Sequence, residues 1–218
     1  LGDVYKRQSL ERLPHVAGVA GREEGEKVRR IVDEVAGFIR RPERCATFLV
    51  IDGWHHIGTS NAEFEDIAEK VTEIVADGAS AHVHVIIATS RWTTMRPAIR
   101  DLIANRLELR LGEALDSLID RKLQQKLPCA PGRGLTLTGE NMLLARTSNQ
   151  DIAHICRVHA EAQPVPQLKM LPAVLTPAAL AAQGDVPAGE IAWGIGGRDL
   201  DTLTWNPSRE PRLLYTSP

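Results

Sequence analysis

The sequence has little of what would mark a specialised chain. Aromatic side chains make up 4% of its 218 residues, and its three cysteines, Cys45, Cys129 and Cys156, are odd in number with no CxxC spacing. That scarcity argues against a disulfide framework or a zinc ribbon and fits a reducing compartment. No apolar run approaches the roughly 20 residues that cross a bilayer as a helix, so this stretch is expected to be soluble by itself. An excess of one charge is also missing: 26 Lys and Arg stand against 28 Asp and Glu, a formal net charge of -2. Nucleic-acid surfaces need a basic excess, so a nucleic-acid partner is not expected. What remains, 43% hydrophobic and 25% charged residues, suffices for one globular domain with its own core and some further chain.

The two ends are set apart from the fold. LGDVYKRQ (1–8) and LLYTSP (213–218) look like translated adapter sequence and are expected to be non-native, so that the natural protein continues in both directions. Between them, EKVRRIVDEVAGFI (26–39) places Val28, Ile31, Val32, Val35, Phe38 and Ile39 on one stripe of an amphipathic helix. ATFLVIDGW (46–54) is a short apolar run closed by glycine, which predicts a strand buried on both faces. NAEFEDIAEKVTEIVADG (61–78) predicts a second helix, capped by Asn61 and ended by Gly78. HVHVIIATS (82–90) is the next strand; Thr93 or Thr94 is expected to cap a helix in MRPAIRDLIANR (95–106), and LELRL (107–111) alternates as one more strand. Strands and helices that alternate over short connections imply an α/β fold with a parallel sheet flanked by helices.

Ligands of such sheets gather at the C-terminal ends of the strands, where loops and helix N-termini converge. Asp52 stands at that edge, as do Thr89 and Ser90 at the end of the second strand. A carboxylate after an apolar strand can hold Mg²⁺ on a nucleotide, with polar groups of the neighbouring strand near the terminal phosphate. An aspartate before glycine can equally be an ordinary turn residue. The histidine pairs 55/56, 82/84 and 154/159 have no acidic or cysteine partner at ligand spacing and are read as surface or core residues. Trp54 and Trp92 each follow a strand end, where they either pack or wall the same site. Gly132 and Gly134 are expected to allow a bend before the final strand.

Four stretches carry a longer resemblance: LPHVAGVAGR (13–22), FLVIDGW (48–54), HVHVIIATSRWTTMRPAIRDLIANRLELRLGEALDSLIDRK (82–122) and PGRGLTLTG (131–139). Together they resemble the EccC ATPases of type VII secretion, a branch of the FtsK/SpoIIIE-like P-loop motors that carry several modules in tandem on a membrane-anchored chain. The second module is the one they resemble. The resemblance implies a P-loop NTPase (RecA/FtsK-like) module over 9–146, incomplete at its N-terminus, and a linker leading into the next module over 147–212. It implies ATP and Mg²⁺ as cofactors, with Asp52 as the Walker B aspartate acting on Mg²⁺ through water and Thr89 and Ser90 beside the phosphates. Arg106 and Arg133 become candidate interface arginines that reach a neighbouring module's phosphates, although a salt-bridged sheet edge explains them equally well.

The same resemblance implies partners and a place: neighbouring ATPase modules, secreted helical-hairpin proteins and an oligomeric membrane secretion complex, on the cytoplasmic side of the membrane. Two departures bear on the chemistry. Gly53 stands where an active motor usually has a glutamate to position water, so no catalytic residue is assigned and the module is expected to hydrolyse weakly or not at all. No GxxxxGK[ST] occurs, and GREEGEK (21–27) has the wrong spacing for the Walker A loop. The stretch between the first helix and the Asp52 strand is also shorter than the family usually has, as a deletion or a degenerate copy would leave it. A docking module without turnover, or a DNA translocase of the FtsK type, are the other readings, the latter disfavoured by the charge balance.

Overall fold

The computed structural model describes residues 9–40, 45–57, 64–197 and 199–214. The expected Asn61 cap lies outside them, as do residues 1–8 and 215–218 of the two ends. The chain divides into two compact units, one up to residue 166 and one from 167 onward.

In the first unit, helix α1 (Gly25–Ile39) leads to strand β1 (Thr47–Asp52), helix α2 (Glu65–Asp77) and strand β2 (Val83–Ala88). β1 and β2 pair in parallel from Thr47↔Val83 to Asp52↔Ala88. Leu49, Ile51 and Val83 point to the helices and are buried with Val32, Val35, Ile67, Val71 and Ile74 in one apolar core. The helical stripes read from the sequence supply that core. Arg29 with Asp66 and Lys70 with Asp33 tie α1 to α2 at the surface.

The expectation of a doubly buried β1 is corrected. Phe48 is 60% exposed, Val50 65% and Ile86 52%, so the face away from the helices is open. Hydrophobic runs do not encode which face a helix covers, and both faces of this strand are apolar. Phe48 stacks on His84 across that face with ring centroids 5.0 Å apart.

Beyond β2 the threonine cap is also corrected. Helix α3 (Pro97–Leu102) begins at Arg96 without a side-chain cap, and Thr94 Oγ1 donates back to Arg91 O at 2.7 Å, closing its own turn. Pro97 holds the first helical turn as expected. LELRL contributes only strand β3 (Glu108–Leu109), which does not pair with β1 or β2. It runs antiparallel to β4 (Arg133–Leu135), which pairs with β5 (Asn141–Leu143), and helix α4 (Arg121–Lys126) lies between β3 and β4 in sequence.

Glu108 organises this second sheet. It is 2% exposed, and its two carboxyl oxygens accept from Trp92 Nε1 (2.9 Å), Leu118 N (2.8 Å), Ser117 Oγ (2.7 Å) and Gln124 Nε2 (3.2 Å). Gln124 also receives Leu111 N, so α4 is fixed to β3 by paired polar groups. Gly132 has the positive φ of 77° that a turn requires. Gly134 serves a different purpose from the expected bend: a Cβ there would lie 2.3 Å from Glu108 O and 2.7 Å from Met142 Cε, so its smallness permits strand contact.

Helix α5 (Asn149–Val158), with a Ser148/Asp151 capping box, belongs to the first unit. Val165 N donates to Pro14 O at 2.9 Å, so the chain returns to its early residues before the division at 166. The second unit holds a short helix α6 (Pro177–Ala181) and a hairpin of β6 (Ile191–Gly196) and β7 (Asp201–Trp205).

Glu108→Ala leaves four donors without their acceptor. It should lower the unfolding free energy from urea titration by about 3 kcal/mol or more, since each unpaired buried donor costs about 1–3 kcal/mol. Gly134→Ala should cost about 2 kcal/mol or more through backbone displacement, while Gly112→Ala, with open space around its Cβ position, should stay within about 0.5 kcal/mol. Equal stabilities for the two glycine variants would refute the close-contact account.

Candidate functional site

Parallel pairing sets the site's position. Asp52 lies beside Ala88 in register, and Gly53 N donates to Ala88 O at 3.0 Å, so the ladder runs one step past β1. Thr89 and Ser90 follow Ala88 directly. The three residues singled out from the sequence are therefore brought together at the C-terminal end of the sheet.

Their side chains are not equivalent. The Asp52 carboxyl is exposed and has no hydrogen-bond or ion-pair partner among the described residues, although α1 and α2 carry many paired acids. Ser90 is exposed. Thr89 Oγ1 is engaged locally, 2.9 Å from Thr94 Oγ1 and 3.2 Å from Arg91 O. A ligand at this edge meets Asp52 and Ser90 first and reaches the Thr89 hydroxyl only by competing with Thr94.

The two arginines belong to other elements. Arg106 donates from Nε to Ile103 O (3.3 Å) and from Nη2 to Arg100 O (3.0 Å), and its guanidinium sits 5.9 Å from the Trp92 ring centroid. It closes the C-terminal end of α3. Arg133 is exposed on β4 and its guanidinium has no partner among the described residues.

The turn after Asp52 holds residues that the sequence did not mark for the site. Gly53 adopts φ 83° and ψ 47°, left-handed backbone that side-chain-bearing residues rarely take. Trp54, 1% exposed, anchors the following 3₁₀ turn in the core, which settles its role as packing. The His55 and His56 rings meet at a tilt of 44° with centroids 4.0 Å apart. A Cβ at position 53 would lie 3.2 Å from His56 Cδ2, 3.9 Å from His56 Nε2 and 3.7 Å from His55 Cε1. Desolvation holds the His56 pKa below the ordinary imidazole value, with the positive charges of His55 and Arg22 acting in the same direction. The left-handed glycine turns the chain so that these rings follow directly after Asp52, and a glycine's φ is not visible in the sequence.

A lone unpaired carboxyl suits one kind of cation. Among the described residues no three His, Cys, Asp or Glu cluster as a direct metal cage. Mg²⁺ dehydrates reluctantly and takes most of its ligands from water and phosphate, so a single exposed carboxylate acting through water fits it. A groove of about 310 Å³ between α2 and α3, floored by Trp54 and Ile99, does not include Asp52 and is separate from this edge. Among the described residues no helix is long and apolar enough to cross a membrane.

Comparison with known proteins agrees with this architecture. The sequence profile of the FtsK/SpoIIIE family matches residues 3–166. The ESX-4 secretion system protein EccC4 of Mycobacterium tuberculosis is 31% identical over 233 aligned positions, covering 94% of this chain and 18% of the relative. The ESX secretion system protein EccC of Thermomonospora curvata is 30% identical over 246 positions, with 94% and 18% covered. The chain thus spans about a fifth of the length of these relatives. Among solved structures, ATPases 2 and 3 of Thermomonospora curvata EccC, in complex with a signal sequence peptide, superpose with a TM-score of 0.73 at 28% identity, covering 95% of this chain and 44% of that one. The cytoplasmic domain of the same type VII secretion ATPase gives 0.74 at 28% identity, with 95% and 28% covered. The chain belongs to the FtsK/SpoIIIE family of P-loop ATPases, and its relatives there are the EccC proteins of type VII secretion.

Proposed function

We propose that this chain is an ATP-binding module of a membrane-associated type VII secretion motor, and that its edge at Asp52 holds Mg–ATP with little or no turnover of its own. The observation that carries the reading is the Asp52 carboxyl at the end of β1, without a partner among the described residues, in register with Ala88 two residues before the exposed Ser90, and followed by Gly53. Bound nucleotide would place Mg²⁺ within reach of Asp52 through water, with Ser90 near the terminal phosphate. Mg²⁺ supplies charge neutralisation on the phosphates when bound. The chain's own contribution is to orient that hydrated ion with one fixed carboxylate.

No stretch of this sequence supplies a phosphate-cradling loop, so that loop and its lysine would come from elsewhere in the parent protein. Within that protein, 9–146 would act as the module and 147–212 as the linker and start of the next one. The partners are neighbouring modules, secreted helical-hairpin proteins and an oligomeric membrane secretion complex, on the cytoplasmic side of the membrane. The exposed Arg133 suits contact with a neighbouring module better than Arg106, whose donors are committed to backbone oxygens. Gly53 favours a second reading, in which nucleotide is held for docking and coupling rather than for work.

In the parent protein with its other sites disabled, Asp52→Asn should weaken nucleotide binding about tenfold in Mg²⁺, or about 1.4 kcal/mol, and leave binding in EDTA unchanged. Equal affinities before and after the change would make Asp52 a turn residue. Gly53→Glu should not create a fast ATPase, because φ 83° opposes a side chain and the His56 ring occupies its first carbon's surroundings. A large gain in turnover from that single change would refute this account of the site. The isolated chain should bind Mg–ATP only weakly by calorimetry; micromolar affinity would contradict the need for an outside phosphate loop.

A further inference from the structure

We propose that the groove between α2 and α3 is a docking site for a basic peptide: an extended segment of a partner protein with an apolar side chain beside lysine or arginine. The proposal stands independently of the Asp52 edge and of any nucleotide.

Three features of the groove set the chemistry of its occupant. The first is shape. Ala68 and Thr72 on α2 and Ala98 on α3 are small side chains, and the gap they leave encloses about 310 Å³ over a floor of Trp54 and Ile99. That volume lies at the lower end of the roughly 300–1,000 Å³ of ligand pockets, and it takes apolar side chains rather than a folded element. The second is charge. Glu69 and Glu73 line the groove one turn apart on α2, both exposed and neither with an ion-pair partner among the described residues. Arg96 lines it too, but its guanidinium is met by Glu65 at 3.1 Å, so the charge left over is negative. The third is an unanswered donor. Trp54 is 1% exposed, and its Nε1 has no hydrogen-bond acceptor among the described residues. The buried nitrogen is closed to water, so a group pressed against the ring is needed to supply one.

A peptide meets all three demands at once. Its apolar side chain fills the floor, its backbone carbonyl, free in an extended chain, accepts from the indole, and a lysine or arginine stem reaches Glu69 or Glu73. A polyamine brings charge without the apolar body or the acceptor. Nucleic acids and anionic lipids are repelled by the two acids. Exposed ion pairs contribute little one by one, so the apolar side chain supplies most of the affinity and the acids supply the selectivity.

The test titrates the full chain with three capped heptapeptides that share glycine-serine ends. One carries leucine between two arginines, the second has glutamates for the arginines, and the third has alanine for the leucine. The first should bind with a dissociation constant of about 0.1 mM, and the other two about tenfold or more weakly. Its binding should move the Trp54 indole N–H resonance downfield, the signal being assigned from Trp54→Phe. Glu69→Lys with Glu73→Lys, both at exposed positions, should keep the melting temperature and reverse the preference toward the glutamate peptide. Ala98→Trp, which fills the groove from an exposed position, should abolish binding. In the parent protein, a photo-crosslinker at Ala98 should capture a segment with lysine or arginine beside an apolar residue. Equal affinity for the arginine and glutamate peptides, no binding at millimolar peptide, an unmoved Trp54 resonance at saturation, or unchanged affinity in the two groove variants overturns the assignment. So do crosslinks confined to lipid, to an acidic segment or to the same groove of a second copy.

Discussion

The buried carboxyl of Glu108 is the constraint on which the first unit's geometry depends. An unpaired acid at 2% exposure would be costly, and this one is met by four donors from three separate places in the chain. One of those donors is Trp92, in the turn that follows Thr89 and Ser90. The small antiparallel sheet thereby holds the C-terminal end of the parallel pair. Arg106 reinforces the same junction from the other side of the Trp92 ring, closing α3 with its guanidinium. Polar groups join the two sheets, and their directional bonds fix orientation more narrowly than apolar contact alone does.

Packing on the parallel pair is one-sided. Two strands alone are marginal in water, so β1 and β2 owe their stability to α1 and α2, which bury Leu49, Ile51 and Val83. The open face repeats the same pattern outward, with Phe48, Val50 and Ile86 in register across the two strands and Asp52 at their end. Asp52 therefore stands at the edge of an apolar surface rather than in a polar groove. A charge so placed has fewer competing partners, which fits its lack of any ion pair among the described residues.

Much of this was legible in the sequence. Helical periodicity located α1 and α2 and their core faces, because amphipathic spacing is a direct imprint of one buried side. The two long strands and the convergence of Asp52, Thr89 and Ser90 followed from apolar runs ending in polar residues. Three features were hidden for physical reasons. An apolar run carries no record of which face is covered, so the open side of β1 went unseen. The pairing of LELRL depends on distant partners downstream, Gly134 for Leu109 and Leu135 for Glu108, and alternation alone cannot choose a neighbour. Thr94 turned back to Arg91 because short hydroxyl side chains bond locally wherever the backbone offers an acceptor.

Gly53 shows how a backbone conformation can set a chemical limit. Glycine brings no side chain to this position, and it admits a left-handed turn that no glutamate would favour. With that turn in place, the His56 ring lies 3.2 Å from where a Cβ at position 53 would stand, so both the backbone conformation and the neighbouring ring oppose a side chain there.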